Sequence, residues 1–144
     1  MVEHNLLSNI TETELAYIAG LIDADGCISA SKFKSKYSYV YVRVRVCMTD
    51  KSVIDFLASR VGGRTCIMKR RPPRRPIFQW QLCGRSNMVF LQRLHPYLLI
   101  KKHIAHLALE LIEKQSGSYY NNEQEEIYLH IKFLNRKGIN KLSN

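Results

Sequence analysis

The sequence has no uninterrupted hydrophobic run long enough for a bilayer-spanning helix, which needs roughly 20 apolar residues. Its first residues, Met1 to Asn5, also lack the basic and then apolar pattern of a signal peptide. We therefore expect an intracellular protein that does not partner a membrane.

Cysteine is sparse, and no two cysteines form a Cys-x-x-Cys pair. Cys27, Cys47, Cys66 and Cys83 are spaced about twenty residues apart, which is not the spacing of a zinc site. We predict four reduced and mostly buried thiols.

Acidic residues are also scarce. The chain has 12 Asp and Glu against 22 Lys and Arg, for a formal net charge of +10. Such a balance favours a polyanionic partner, either nucleic acid or an anionic membrane surface. The absence of a basic amphipathic helix argues against the membrane surface.

The chain is long enough for one domain of ordinary size, with 144 residues of which 46% are hydrophobic. We predict a single domain over 1–144, with its core over about 11–136 and a loose tail over 137–144.

A helix is predicted to begin after Thr11, the N-cap of a capping box completed by Glu14. Ala16 and Gly20 share one face of this helix, where small residues allow close approach of a second helix. Asp23 and Asp25 fall at its C-terminal end, where the helix dipole is already negative and a bound cation would stabilise them. The alternative is a buried helix followed by a solvated Asp-Ala-Asp-Gly turn.

Residues 39–47 alternate strictly, which is typical of a half-buried strand. The valines of this segment are assigned to the core. The opposite face carries residues suited to contact with bases and phosphates, namely Tyr39, Tyr41, Arg43 and Arg45. The alternative is a solvated sheet face.

The preceding strand, over 29–37, has Ile28 and Ala30 facing inward and Ser29 and Ser31 facing outward. The same parity places three lysines inward, which a core cannot accept: Lys32, Lys34 and Lys36. We expect the strand to bulge or twist away from the core there, so that these lysines reach the DNA backbone.

A short helix over 50–61 is predicted next, followed by strands over 64–71 and 77–83. Phe78, Trp80 and Leu82 are assigned to the core, and Gln79 and Gln81 to the DNA face. The loop between the strands is rich in arginine and held extended by prolines. The basic residues of this region predicted to contact DNA are Arg64, Lys69, Arg70, Arg71, Arg74 and Arg75.

Further helices are predicted over 87–94, 97–113 and 123–136. The resulting αββαββα order indicates an α+β fold, with a four-stranded antiparallel sheet and helices on one face.

Residues 18–26 read IAGLIDADG and differ only in their first letter from the LAGLIDADG motif. The chain therefore resembles the LAGLIDADG homing endonucleases, over roughly residues 12–113. The resemblance implies a curved, saddle-shaped sheet lying across the DNA major groove. It also implies Mg²⁺, or another divalent cation such as Mn²⁺, bound by Asp25 with help from the Ala24 carbonyl.

The motif occurs once, so the resemblance is to the single-motif, homodimeric type. The resemblance then implies a long pseudo-palindromic double-stranded DNA site and a staggered double-strand break. Residues expected at the dimer interface are Ala16, Ala19, Gly20 and Asp23, and Asp23 is also expected to cap or position the adjacent turn.

Two catalytic positions can be aligned with the family. Lys101, with Lys102 as the fallback, matches a basic residue that stabilises charge near the scissile phosphate. Met48 stands where the family often has a water-organising Gln, a task for which methionine is unsuited. Thr49 or Asp50 could substitute there, and Lys51 is a candidate second basic residue.

The main alternative is a binding protein on the same fold, such as an intron-splicing maturase or a DNA-binding regulator. The resemblance is compatible with an organelle (chloroplast or mitochondrion) or a prokaryotic cytoplasm.

Overall fold

The computed structural model describes residues 7–33, 39–115 and 120–142, with side chains described as far as Arg136. The predicted DNA contacts at Lys34 and Lys36 lie outside the described residues. Within the described residues, no helix combines the length and the hydropathy needed to span a bilayer.

The first helix, α1, runs over Glu12–Asp25. Its predicted N-cap is confirmed, because the Thr11 side chain accepts a hydrogen bond from the Glu14 backbone amide at 3.1 Å. One face of α1 is buried in the core, through Leu15, Ile18, Ala19 and Ile22.

The sheet has four antiparallel strands in the order β1-β2-β4-β3. They are β1 (Gly26–Phe33), β2 (Tyr39–Met48), β3 (Arg64–Met68) and β4 (Ile77–Cys83). The third strand therefore ends at Met68, earlier than the sequence predicts. The longest strand, β2, lies between β1 and β4, which explains why its alternation is the clearest.

The other helices are α2 (Lys51–Val61), α3 (Asn87–Leu94), α4 (Lys102–Lys114) and α5 (Asn122–Leu142). The prediction that the fourth helix starts at Tyr97 is wrong, because Leu98 is extended and Lys101 is its non-helical N-cap. The last helix is longer than its predicted range of 123–136, since α5 continues to Leu142.

The core lies between one face of the sheet and the helices. The four inward valines of β2 each have at most 1% of their surface exposed. Trp80 of β4 is fully buried and meets Phe90 of α3 edge to face, with ring centroids 5.9 Å apart. The predicted α+β class is confirmed, and the opposite face of the sheet is left open.

Asn87 is a buried polar residue that sequence reasoning did not identify. Its side-chain amide donates to the Val42 carbonyl at 3.1 Å and to the Leu82 carbonyl at 2.9 Å. These bonds join the start of α3 to β2 and β4, and they satisfy carbonyls that water cannot reach.

Replacing Asn87 with Leu is expected to lower the free energy of unfolding by about 2–4 kcal/mol, because two buried carbonyls lose their donor. Urea denaturation would measure the change. The matched replacement of the exposed Asn122 with Leu should alter stability by less than about 1 kcal/mol. Equal effects of the two substitutions would show that the Asn87 bonds do not stabilise the fold.

Candidate active site and nucleic-acid interface

The C-terminal end of α1 presents a free carboxylate. Asp25 is the last residue of the helix and is exposed. Among the described residues, none forms a hydrogen bond or ion pair with its side chain. Its charge therefore lies unneutralised at the negative end of the helix dipole.

Gly26 is required at this helix end by a close approach. A Cβ added to it would lie 2.7 Å from the Ile22 Cα and 2.9 Å from the Ile22 carbonyl oxygen. Any side chain would therefore displace the last turn of α1. The glycine lets β1 begin immediately after Asp25, so the carboxylate lies where the helix meets the edge strand of the sheet.

Asp23 holds the segment that precedes α4. Its carboxylate accepts a hydrogen bond from the Leu99 amide at 2.8 Å and another from the Lys101 amide at 2.9 Å. The Lys101 ammonium donates in return to the Asp23 backbone carbonyl at 2.7 Å. Asp23 was predicted to position the turn adjacent to it in sequence, whereas in the structure it binds the distant segment that carries Lys101.

The hydrogen bonds of Asp23 alter its acidity. Burial raises the pKa of the carboxyl, but the amides of Leu99, Lys101 and Ile100 and the charge of Lys101 outweigh that effect. The net result is a pKa below the ordinary value of 3.8. Because the folded-state pKa is lowered, the stabilisation is complete above the unfolded-state pKa and is lost as the pH falls through the folded-state value.

Asp23→Asn should therefore lower thermal stability at pH 7, since an amide offers one oxygen where the carboxylate offers two. The difference in melting temperature between wild type and variant should shrink as the pH falls below about 4. Melting curves recorded from pH 7 to pH 2.5 would measure it. A difference that stays constant across that range would mean that the Asp23 charge does not hold the turn.

Lys101 therefore lies beside the acidic end of α1, which is where the aligned family position requires a basic residue. Lys102, the fallback, is the first residue of α4 and is exposed. The structure thus distinguishes the two lysines, since among the described contacts only Lys101 is tied to the motif helix.

The donor chemistry at this end of α1 fits a divalent cation. A free carboxylate supplies the hard oxygen that Mg²⁺ prefers, and the Ala24 carbonyl, near the end of the helix, is a second candidate oxygen. Within the described part of the chain, however, no three His, Cys, Asp or Glu side chains cluster to form a complete metal site. A cation bound by Asp25 would therefore need ligands other than a cluster of such side chains in the described part of this chain.

The remaining predicted catalytic residues are placed differently. Met48 is half-buried and packs against the core from the inward side of β2, so the structure gives it a packing role. The Lys51 ammonium pairs with Asp55 at 2.7 Å on the surface of α2. Asp50 is the N-cap of α2 and accepts a hydrogen bond from the Ser52 amide at 2.9 Å, which leaves Thr49 as the exposed polar candidate.

The uncovered face of the sheet, here called the open face, consists of the outward residues of the four strands. Cross-strand register arranges these residues in rows. From the Asp25 end outward, the rows are Met68–Ile77, Cys47–Gln79–Cys66, Cys27–Arg45–Gln81–Arg64, Ser29–Arg43–Cys83, Ser31–Tyr41 and Phe33–Tyr39.

The open face contains most of the residues that were predicted to contact DNA. Arg45 and Arg64 flank Gln81 in one row, so two cations and an amide lie side by side. Gln79 donates to the Gln81 side chain at 3.4 Å, which links neighbouring rows. The basic residues of the adjoining loop are all exposed, namely Lys69, Arg70, Arg71, Arg74 and Arg75.

Lys32 does not belong to the open face, and its predicted DNA contact is wrong. It pairs with Val40 on the inward side, and its ammonium lies 2.8 Å from a Glu125 carboxylate oxygen of α5. The same ammonium lies 5.3 Å and 5.1 Å from the ring centroids of Tyr120 and Tyr128. The strand does not leave the core at Lys32, because α5 supplies partners for the charge.

The prediction of mostly buried cysteines is also wrong. All four cysteines lie on the open face, where Cys66 and Cys83 are exposed and Cys27 and Cys47 are half-buried. Burial raises the pKa of the Cys47 thiol, although the charge of Arg45 opposes that shift.

The predicted dimer face of α1 is partly retained. Ala16 and Gly20 are both exposed, and a Cβ added to Gly20 would contact nothing within 4 Å. Ala19 is fully buried within the chain, so its predicted place at a dimer interface is wrong. Tyr17, next to this face, is 52% exposed and meets Phe56 edge to face.

Sequence reasoning also missed two exposed apolar side chains beside the site. Leu99 and Ile100 are 85% and 77% exposed on the segment that Asp23 holds. Their exposure was not predicted, because the segment was assigned to a helix over 97–113.

Comparison with known proteins agrees with this geometry. The LAGLIDADG-like domain family matches residues 12–95, which is more than half of the chain. The chain is 29% identical over 111 residues to the DNA endonuclease I-CvuI of Chlorella vulgaris. That match covers 72% of this chain and 66% of the relative, slightly less than two thirds of its length.

Solved structures show the same fold. One is the homing endonuclease I-CvuI in complex with a DNA target, in the presence of Mg and with the DNA not cleaved. It has a TM-score of 0.62 and 27% sequence identity, and the match covers 74% of this chain and 69% of that one. The archaeal intron-encoded homing endonuclease I-Vdi141I, complexed with DNA, has a TM-score of 0.70 over 84% of this chain and 83% of that one, at 15% identity. The chain belongs to the LAGLIDADG family and has the fold of the LAGLIDADG homing endonucleases.

Proposed function

We propose that the protein is a homodimeric, site-specific endonuclease that makes a staggered break in double-stranded DNA by metal-dependent phosphodiester hydrolysis. The observation that carries the proposal is that one helix end presents the Asp25 carboxylate, which has no partner among the described residues, and also binds Lys101 through Asp23. Both groups lie at the end of a cationic, uncovered sheet face. Solved relatives are crystallised with DNA in the presence of Mg or Ca, which supports a divalent cation, with Mg²⁺ or Mn²⁺ the candidates here.

The dimer is inferred from what one chain lacks. The motif occurs once, and the described residues of one chain do not form a complete metal site. Pairing of two α1 helices through Ala16 and Gly20 would bring two Asp25 carboxylates close to a two-fold axis. The two carboxylates and the phosphates of the DNA would then supply the oxygen ligands.

Different residues of the chain have different roles in the proposed reaction. The arginines and glutamines of the open face bind the duplex and set its register. A cation held by Asp25 and the Ala24 carbonyl would stabilise charge on the phosphate and activate water. Lys101 places a positive charge where a phosphate oxygen becomes more negative as the bond breaks.

A library of duplexes with randomised sequence tests this function. Molecules bound in Ca²⁺ and molecules cut in Mg²⁺ would be recovered and sequenced separately, with EDTA as the blank. We expect one pseudo-palindromic site to dominate both pools, with breaks offset between the strands. Tight, selective binding without cutting of any site would instead show a binding protein, such as a maturase or regulator.

Sedimentation of the complex on the recovered site tests the dimer. A ratio of two chains to one duplex is expected, and a ratio of one to one would overturn the homodimer.

Replacing Arg45 with Ala should weaken affinity for the recovered site by about 5- to 100-fold, as expected for loss of a base or phosphate contact. If the contact is to phosphate, the number of counterions released on binding, measured from the slope of log affinity against log salt concentration, should also fall by about one. Lys132→Ala, an equal loss of charge on α5 away from the open face, is the control and should change affinity by less than about twofold. Equal effects of the two substitutions would mean that the open face does not meet DNA.

A further inference from the structure

Phe33 and Tyr39 form an aromatic pair at the outer end of the open face. They are direct cross-strand partners, their ring centroids lie 5.1 Å apart, and their planes are inclined by 27°. Each side chain keeps 49% of its surface exposed. The pair is therefore a stacked apolar platform rather than part of the core.

This platform differs chemically from the rows next to it. The four rows from Cys47–Gln79–Cys66 to Ser31–Tyr41 present guanidinium, amide, hydroxyl and thiol groups, and the apolar Met68–Ile77 row lies at the opposite end of the open face. A cross-strand aromatic pair stabilises a hairpin to some extent. That role does not explain why half of the apolar surface stays exposed to water on the face proposed to meet DNA. The exposed half of the Phe33 ring contributes no hydrophobic stabilisation to the fold.

The DNA major groove offers one apolar feature on its base edges, the C5-methyl group of thymine. The other groups displayed there are hydrogen-bond donors and acceptors, which the arginines and glutamines of the inner rows can satisfy. Phe33 has no polar atom to offer a base. Its ring can contact a methyl group and the apolar edge of a base.

We propose that the Phe33–Tyr39 pair is a thymine-methyl subsite at the outer end of each DNA half-site. The inference rests on the proposed function and adds to it a sequence preference at a stated place.

The position of the preferred thymine follows from strand geometry. Phe33 follows Asp25 by eight residues along a continuous strand. At about 3.3 Å per residue the platform lies about 26 Å from the carboxylate. With base pairs about 3.4 Å apart, the thymine lies roughly seven or eight base pairs outward from the metal-bound phosphate.

Single replacement of each thymine in the recovered site by deoxyuridine removes one methyl group and leaves base pairing intact. Binding would be measured in Ca²⁺. For the wild-type protein we expect a three- to fivefold loss of affinity, the effect of one buried methyl, at thymines seven or eight base pairs from the cut and little loss elsewhere.

Phe33→Ala should weaken binding to the thymine-containing site and should no longer distinguish thymine from deoxyuridine there. Phe33→Leu, which remains apolar and keeps more of the hairpin packing, should retain part of the discrimination. Ile67→Ala is the matched control, because Ile67 is 58% exposed but lies on the inward side of β3. This control should discriminate like the wild type.

Three results would overturn the subsite while leaving the proposed function in place. These are the absence of a thymine preference in the outer half-site, an equal loss at every thymine, and full discrimination by Phe33→Ala. Failure of the wild-type protein to bind or cut any site would instead overturn the proposed function. A melting curve of each variant separates lost recognition from lost folding.

Discussion

Asp25→Asn is expected to lower the single-turnover rate of DNA cleavage by at least about 10³-fold, while affinity for the site in Ca²⁺ changes by less than about threefold. The substitution keeps the shape of the side chain and removes the charge that would hold the cation, which contributes several kcal/mol to the transition state. Folding should be unaffected, because the carboxylate is exposed and, within the described residues, has no partner.

Glu12→Gln is the matched control for this change. It removes one negative charge from the exposed first turn of the same helix, far from the acidic end. Cleavage by this variant should match the wild type within about twofold. Undiminished cutting by Asp25→Asn would show that the cation is held elsewhere.

Lys101→Met is expected to lower the cleavage rate by about 10²- to 10³-fold, the size of effect seen when one preorganised charge-stabilising group is removed. Methionine keeps most of the length and the apolar character of the lysine stem but lacks the ammonium. The Leu99 and Lys101 backbone amides would still bond to Asp23, so the turn should keep its place. Affinity in Ca²⁺ should fall by less than about fivefold.

Lys102→Met provides the control, since it removes the same charge one residue further along, from a side chain that is exposed at the start of α4. A rate within about threefold of the wild type is expected. If the two lysine variants were equally slow, general attraction to DNA rather than a positioned charge would explain the effect. Rapid cleavage by Lys101→Met would remove Lys101 from the chemistry.

Structure was predicted most accurately from the sequence where a residue pattern is compatible with only one kind of local structure. The valines of β2 alternate without exception because both neighbouring strands cover its edges and one face meets the helices. The Thr11 cap and the Asp25–Gly26 junction followed from local chemistry as well. The motif helix, β2 and β4 were therefore recovered to within about one residue, whereas β1 begins at Gly26 rather than residue 29 and β3 ends at Met68 rather than residue 71.

The errors arose where the decisive partner is distant in sequence. Lys32 has inward parity, and only the arrival of Glu125 on α5 makes that position acceptable for a charge. Ala19 belongs to the same small-residue motif as Gly20, yet the helix turns it into the core. The start of α4 was misplaced because Asp23, 78 residues before Lys101, fixes the backbone there in a non-helical form.

In the candidate site too, local features were predicted and features that depend on distant residues were not. The alignment located Asp25 and Lys101 but did not reveal that Asp23 ties the segment 99–101 to the end of α1 through three hydrogen bonds. It placed Met48 at a catalytic position, whereas the packing of this side chain against the core supplies an ordinary reason for an apolar residue. The open-face location of all four thiols follows from strand register, which cysteine spacing does not encode.

The location of the cation can be measured by crystallising the protein with its DNA site and Mn²⁺ and recording the anomalous scattering of manganese. The proposed arrangement predicts anomalous peaks between the Asp25 carboxylates of two chains and the phosphates to be cut, with Lys101 of each chain alongside. Manganese bound away from Asp25, or two Asp25 carboxylates remote from the phosphates, would contradict it.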